Sequence, residues 1–245
     1  MTEVEVAEVE VAELGVAAPP IVDWDGWNAA RDALLTREKA HTHEGDAIAA
    51  ARRGLPMFEV RNVALMGEHG PTSLLDMFEG RDVLLACKHM WHLGKPFEDQ
   101  CEGCTLTIWN AQDPAYLHAR GVSFAIWCEG PYEEFAPFRT FMGYQMPWYS
   151  VHGVEERGVS DGWLNAYLRV DDRIFLTYTT DGRGCEAMMP ALQLLDMTVY
   201  GRREQWEDSP DGWPQPDRAG DGWWRQNGRP VAQWTRPGIT APSHR

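Results

Sequence analysis

Asp82-Val83-Leu84-Leu85-Ala86-Cys87 is a short, uninterrupted apolar run. Cys101-Glu102-Gly103-Cys104 and then Val122-Ser123-Phe124-Ala125-Ile126-Trp127-Cys128 come after it along the chain. Apolar runs of this length without alternation belong to strands covered on both faces, the condition of a parallel sheet. Between the two runs, Thr105 to Ala111 reads as a helix. Asp113-Pro114 reads as an N-cap with a first-turn proline, which predicts a further helix to Arg120, stopped by Gly121. Strand, helical connection and strand make a parallel β-α-β unit, and the cysteine pair falls at its first strand-to-helix junction.

Downstream, Phe135, Phe138 and Met142 share one helical face, and Gly143 ends that helix. Trp163 to Tyr167 and Ile174 to Thr179 flank Asp171-Asp172, the pattern of an antiparallel hairpin. Ala187 to Tyr200 reads as a last helix, with Leu192, Leu195 and Val199 on one side. Upstream, Phe58 to Val63 alternates like a half-buried strand. Gly70-Pro71-Thr72 reads as a turn, and Ser73 as the cap of a short helix from Leu74 to Phe78. Asp23 to about Gly54 has helical spacing that fits two helices or one broken helix. This order of strands and helices, closed by a hairpin and a terminal helix, is the layout of a thioredoxin-like α/β sandwich. The expected organisation is a mobile acidic tail over 1–22, an N-terminal helical extension over 23–56 and a thioredoxin-like domain over 57–200. An irregular, tryptophan-rich C-terminal extension completes it over 201–245.

The 245 residues carry a net charge of −15, so nucleic acid and anionic membranes are excluded as partners, because phosphate binding needs a positive surface. No apolar run is long enough to span a bilayer. The N-terminus has five glutamates in its first thirteen residues and no basic start, which predicts a cytoplasmic protein without a signal peptide. Five cysteines, an odd and low number, argue against a secreted disulfide framework. Four of the twelve tryptophans come directly after Asp-Gly, turn chemistry at irregular spacing rather than a repeat.

Only Cys101 and Cys104 are neighbours. A thiolate is the attacking species, and a free thiol with a pKa near ~8.5 is mostly protonated at neutral pH. The unpaired amides at a helix start stabilise the anion. Cys101, at the junction, is the expected nucleophile toward a disulfide or oxidised sulfur, and Cys104, one turn in, the resolving thiol. Glu102 works against activation, so the thiol is expected to be less acidic than in a Cys-Gly-Pro-Cys loop. A peroxiredoxin-type site is not indicated: Glu98 stands where a hydroxyl residue is needed, and Pro96 is only five positions before Cys101.

A second reading takes His89 and His92 with Cys101 and Cys104 as ligands for copper or zinc. It requires the segment 89–100 to be a loop, because residues 87 and 89 of a continuing strand face away from 90 and 92. Cys185, after Gly182-Arg183-Gly184, could also lie near the active face. No phosphate-binding glycine motif occurs, so nucleotides have no support.

The sequence resembles the DUF899 family of thioredoxin-like proteins of unknown function. The resemblance is carried by Trp27, Arg31, Leu34-Leu35, Glu38-Lys39 and Arg52-Arg53-Gly54-Leu55-Pro56. It continues through Gly70-Pro71 with Ser73-Leu74, Asp76, Phe78 and Gly80-Arg81, the Cys101–Cys104 pair, Met142-Gly143-Tyr144, Met146-Pro147-Trp148, Tyr178, Arg183-Gly184 and Leu195-Asp196. It implies a thioredoxin-like fold and thiol–disulfide chemistry at Cys101 and Cys104. The chain departs from the family pattern at Cys87-Lys88-His89-Met90, where the histidine is out of register, and at Glu102, where a proline is expected. No proline precedes Leu164, where thioredoxins hold a substrate chain beside the thiols. That departure shifts the expectation toward a small-molecule thiol or disulfide, beside a protein one. The expected activity is therefore a thioredoxin-like thiol–disulfide oxidoreductase that needs no cofactor. The alternatives are the copper or zinc protein above and a non-catalytic interaction protein docking through 206–234. The sequence carries no signal of oligomeric state.

Overall fold

The computed structural model describes residues 17–204, 206–214, 225–226, 229–230, 232–236 and 238. Most of the expected acidic tail and the Asp221-Gly222-Trp223 turn lie outside the described residues. The chain divides into two compact units, one of residues 1–55 with 193–219 and one of 56–192 with 220–245.

In the first unit, α1 runs unbroken over Trp24–Arg53. The Asp23 carboxylate accepts the Gly26 amide at 2.8 Å and caps its start, and Arg52 and Arg53 face the negative end of the helix dipole. Gly45 does not break it: a glycine inside a helix costs only about 1 kcal/mol against alanine. Among its described residues, two contacts tie the later segment together and to the N-terminal one. They are a two-pronged ion pair from the buried Arg202 to Asp196 at 2.7 and 2.6 Å and the Tyr200 hydroxyl donating to the Ala17 carbonyl at 3.0 Å.

The second unit contains one eight-stranded sheet. Its elements in chain order are β1 (Phe58–Val60), β2 (Ala64–Gly67), β3 (Gly70–Ser73), β4 (Val83–His89), α2 (Glu102–Asn110), α3 (Ala115–His118), β5 (Val122–Cys128), α4 (Tyr132–Met142), β6 (Trp148–Ser150), β7 (Leu164–Val170) and β8 (Arg173–Thr180). A helix α5, Pro190–Leu195, comes after β8, and a short antiparallel pair, β9 (Arg225–Gln226) and β10 (Arg229–Pro230), lies near the C-terminus. The strand order is β1-β8-β7-β4-β5-β6-β2-β3. The strands β4, β5 and β6 are parallel, and β7 and β8 are antiparallel additions on the other side of β4.

β4 and β5 explain the apolar runs. Leu84 and Ala86 of β4, with Ala125 and Trp127 of β5, enter one buried cluster together with Met77, Phe78 and Val159. Cys87, Phe124, Ile126 and Cys128 point to the opposite face and join Ile108 of α2 and Phe135, Phe138 and Met142 of α4. Both parallel crossovers thus lie on one face of the sheet. Phe138 is fully buried there, its ring 5.3 to 6.4 Å from those of Phe97, His89, Trp91, Tyr144 and Trp148.

Several local expectations are corrected. Gly70-Pro71-Thr72 is a strand paired to β2 rather than a turn. Ser73 does accept the Asp76 amide, at 3.2 Å, but it belongs to β3, and the helix after it is a single 3-10 turn, Asp76–Phe78, with Leu75 at its N-cap. The long final helix is a 3-10 segment, Gly182–Met188, and then the short α5, because Pro190 cannot supply an amide to a continuous helix. β6 is a strand that no sequence pattern announces.

Phe138→Ala is expected to lose about 3–5 kcal/mol of stability, since it removes a fully buried ring whose neighbours are themselves rigid. Urea denaturation measures it, and a loss under about 1 kcal/mol contradicts the packing described.

Candidate active site

β4 ends at His89, and the chain then forms a loop that the expected strand-to-helix junction requires. Gln100, 2% exposed, closes that loop. Its side-chain oxygen accepts the His92 amide at 2.8 Å, and its side-chain NH2 donates to the carbonyls of His92 at 2.9 Å and Lys95 at 3.0 Å. A 3-10 turn, Phe97–Asp99, precedes it. The loop therefore delivers Cys101 to a fixed place, the N-cap of α2.

At that cap the Cys104 amide donates to Cys101 Sγ at 3.4 Å. The Thr105 amide and hydroxyl both donate to the Cys101 carbonyl, at 3.0 and 2.9 Å. The Met90 amide, at the end of β4, donates to Cys104 Sγ at 3.4 Å. Both cysteines are half-buried and in the dithiol form. The Cys104 thiol donating to Cys101 is the chief influence that brings the Cys101 pKa down to about 6. The backbone amides of Cys104 and Gly103 and the charge of His92 add to it, against an opposing effect of burial. Cys104 is pushed up, first by that same hydrogen bond and then by burial.

The dithiol opens on a groove of about 230 Å³. Its lining comes from the end of β4 (Cys87, Lys88) and Met90 just after it, from α2 (Gly103, Thr107) and from Trp163, Gly182, Cys185 and Met189. Trp163 stands immediately before β7, where the expected proline is missing. Its amide donates to the Thr180 carbonyl at 2.9 Å and its carbonyl accepts the Lys88 amide at 2.8 Å. The Lys88 ammonium is committed as well, donating to the Ser160 carbonyl.

The expected histidine and cysteine ligands are not assembled. His89 is fully buried, with Phe138, Trp148 and Trp91 rings 5.3 to 6.0 Å away, and neither of its ring nitrogens makes a hydrogen bond of normal geometry. Burial pushes its pKa down to about 4. His92 is exposed, with Nδ1 2.8 Å from the Asp99 carbonyl. Among the described residues no three His, Cys, Asp or Glu side chains come together as a group that would hold a metal ion. Sequence reasoning does not find Gln100 or Trp163, since neither residue type signals a role until the loop and the sheet are closed. It also gives no sign of a polar pocket elsewhere, lined by Glu68, His69, Arg139 and Tyr149, where Arg139 is paired to Glu68 at 2.7 Å.

A four-stranded order β8-β7-β4-β5, with β4 and β5 parallel, β7 antiparallel to β4, and a dithiol capping the helix after β4, defines a thioredoxin-like α/β protein. The profile of the family described as "Bacterial protein of unknown function (DUF899)" matches residues 16–229, and the chain belongs to that family. No curated protein matches it. Among solved structures it is similar to a candidate thiol:disulfide interchange protein DsbE from Chlorobium tepidum (14% identity, 57% of this chain and 92% of that one, TM-score 0.35). It is also similar to a candidate protein disulfide isomerase from Bacteroides thetaiotaomicron (13% identity, 58% and 86%, TM-score 0.33). A third is an uncharacterized conserved protein from Geobacillus kaustophilus (14% identity, 67% and 92%, TM-score 0.34). No helix among the described residues is long and apolar enough to cross a membrane.

The loop and the buried imidazole can each be tested. Gln100→Ala removes the acceptor of the His92 amide and a donor to each of the His92 and Lys95 carbonyls, and is expected to cost about 1–3 kcal/mol and to raise the Cys101 pKa. Denaturation and pH-dependent alkylation of the same variant read the two effects. For His89, the unfolded chain takes up a proton below its ordinary value of 6.5, while the folded protein does so only below about 4. Its contribution to stability is thus present above pH 6.5 and lost as pH falls to about 4, by an amount on the order of 3 kcal/mol. His89→Phe is expected to remove that part of the acid sensitivity. Equal pH dependence of the two proteins in urea denaturation contradicts it.

Proposed function

We propose that the protein is a thiol–disulfide oxidoreductase in which Cys101 attacks and Cys104 resolves. One observation carries the reading: Cys101 caps α2 with its sulfur accepting from Cys104, so its pKa falls to about 6 while that of Cys104 rises. At neutral pH one member of the pair is then a thiolate and the other holds a proton, the division of labour that the two steps require. Cys101 Sγ forms a bond to a substrate sulfur and expels the other as a thiolate. Cys104 then attacks Cys101, releases the second substrate thiol and leaves a Cys101–Cys104 disulfide. The substrate gains two electrons and two protons.

Trp163 favours small substrates over extended polypeptides. Both of its backbone hydrogen-bonding groups are taken by Lys88 and Thr180, so it offers no amide or carbonyl for a substrate strand to pair with. The groove is also closer in volume to a small molecule than to a chain segment.

Iodoacetamide alkylation of the reduced protein against pH tests the reading. The expected profile is modification of Cys101 rising with a midpoint near pH 6 and nearly complete by pH 8, with Cys104 unreactive over that range. Cys104→Ala is expected to move the midpoint up, because it removes the principal donor to the Cys101 sulfur. Two thiols that alkylate only above about pH 9, and that form no disulfide with peroxide, reject it.

A further inference from the structure

The groove beside the dithiol holds more sulfur than the proposed reaction uses. Cys87 from β4 and Cys185 from the 3-10 segment after β8 line it together with Cys101 and Cys104. Four of the five cysteines in the chain therefore face one groove, and Cys128, on β5, is the one left out.

Cys87 and Cys185 reach the groove from different parts of the sheet. Cys87 lies opposite Leu164 of β7, and Leu164 lies opposite Thr180 of β8, so the three residues form one row across the sheet. Cys185 Sγ reaches back to the Thr180 carbonyl, at 3.9 Å. Gly184 suits this return: a Cβ there would stand 1.8 Å from Thr180 Oγ1, so a larger residue would force the Thr180 side chain or the segment to shift. Both inner sulfurs are shielded, with Cys87 2% and Cys185 7% exposed.

We propose that Cys87 and Cys185 are an inner dithiol that takes oxidising equivalents from the Cys101–Cys104 disulfide by internal thiol–disulfide exchange. This rests on the redox reading of the outer pair. In the first step the Cys87 sulfur attacks Cys104. The Cys101–Cys104 bond breaks, Cys101 leaves as a thiolate, and a Cys87–Cys104 disulfide forms. In the second, Cys185 attacks Cys87, the Cys87–Cys104 bond breaks and Cys104 leaves. The outer pair has been reduced and the inner pair oxidised by two electrons, with two protons passing from the inner thiols to the outer ones. No further reactant is needed.

The relative acidities favour this direction at equilibrium. Cys101, the most acidic thiol, is the best leaving group, and an acidic thiol stabilises the reduced form of its own pair. Cys87 and Cys185 are both pushed up by burial, so they gain little as thiolates. Cys87 also feels the charge of Cys185, and Cys104 feels that of Cys87. The relay runs from Cys101 to Cys104 to Cys87 to Cys185.

Counting thiols tests the relay. The fully reduced protein is treated anaerobically with excess 2-hydroxyethyl disulfide, quenched in acid, alkylated and mapped by mass spectrometry without reduction. The expected product keeps one free thiol, Cys128, and carries Cys101–Cys104 and Cys87–Cys185 disulfides. Three free thiols with only the outer disulfide overturn the inner pair and leave the outer reading standing, whereas five free thiols overturn both. Cys104→Ser separates relay from direct oxidation: Cys87–Cys185 formation is expected to slow by more than about tenfold. An unchanged rate overturns the relay.

Discussion

A sulfur at the N-cap of a helix is the constraint on which this structure turns. The amides of the first turn of α2 have no partners within the helix, and Cys101 Sγ accepts the one from Cys104. Everything needed to hold that geometry lies in the loop before it. Gln100 ties the loop to itself through three hydrogen bonds, and the Met90 amide fixes the second sulfur from the other side. The two thiols consequently differ in acidity although they are one turn apart, with Cys101 held low by the hydrogen bond that raises Cys104.

The two faces of the sheet divide the remaining work. On the face that carries α2 and α4, aromatic rings take up most of the space, and His89 is enclosed among them as a neutral ring. A histidine in that position packs as an aromatic residue and is not presented to the groove. At the edge of the same face, where β4, β7 and the segment after β8 converge, the lining changes to cysteine and methionine around Trp163. Soft, polarisable side chains suit thiol and disulfide groups better than charged ones do, and the Lys88 ammonium at that edge is already bound to Ser160.

How far the sequence can be read depends on whether each element is specified locally. Val122–Cys128 matches its expected bounds because burial on both faces forces a continuous apolar run, and the hairpin across Asp171-Asp172 is equally plain. The helix ending at Gly143 is legible because that glycine takes the left-handed conformation, with φ 73°. Gly70–Ser73 is mistaken for a turn because proline and glycine in an edge strand look like one until the partner strand is known. β6 has only three residues, and its identity as a strand comes from Cys128, Ile126 and Trp127 beside it. The final helix is drawn too long because the apolar spacing continues past Pro190 while the backbone changes on either side of it.

By itself, the sequence determined the cysteine pair, its place between a buried strand and a helix, and the family to which the chain belongs. Each of these is written in residues adjacent along the chain or in their order. Only the tertiary structure decided which side chains surround the pair. It withheld His89 from the expected ligand set, put Trp163 at the groove wall and brought Cys87 and Cys185 to the same groove. The physical reason is that acidity, burial and reach depend on residues brought together from distant strands, through register and close approach that no local pattern encodes.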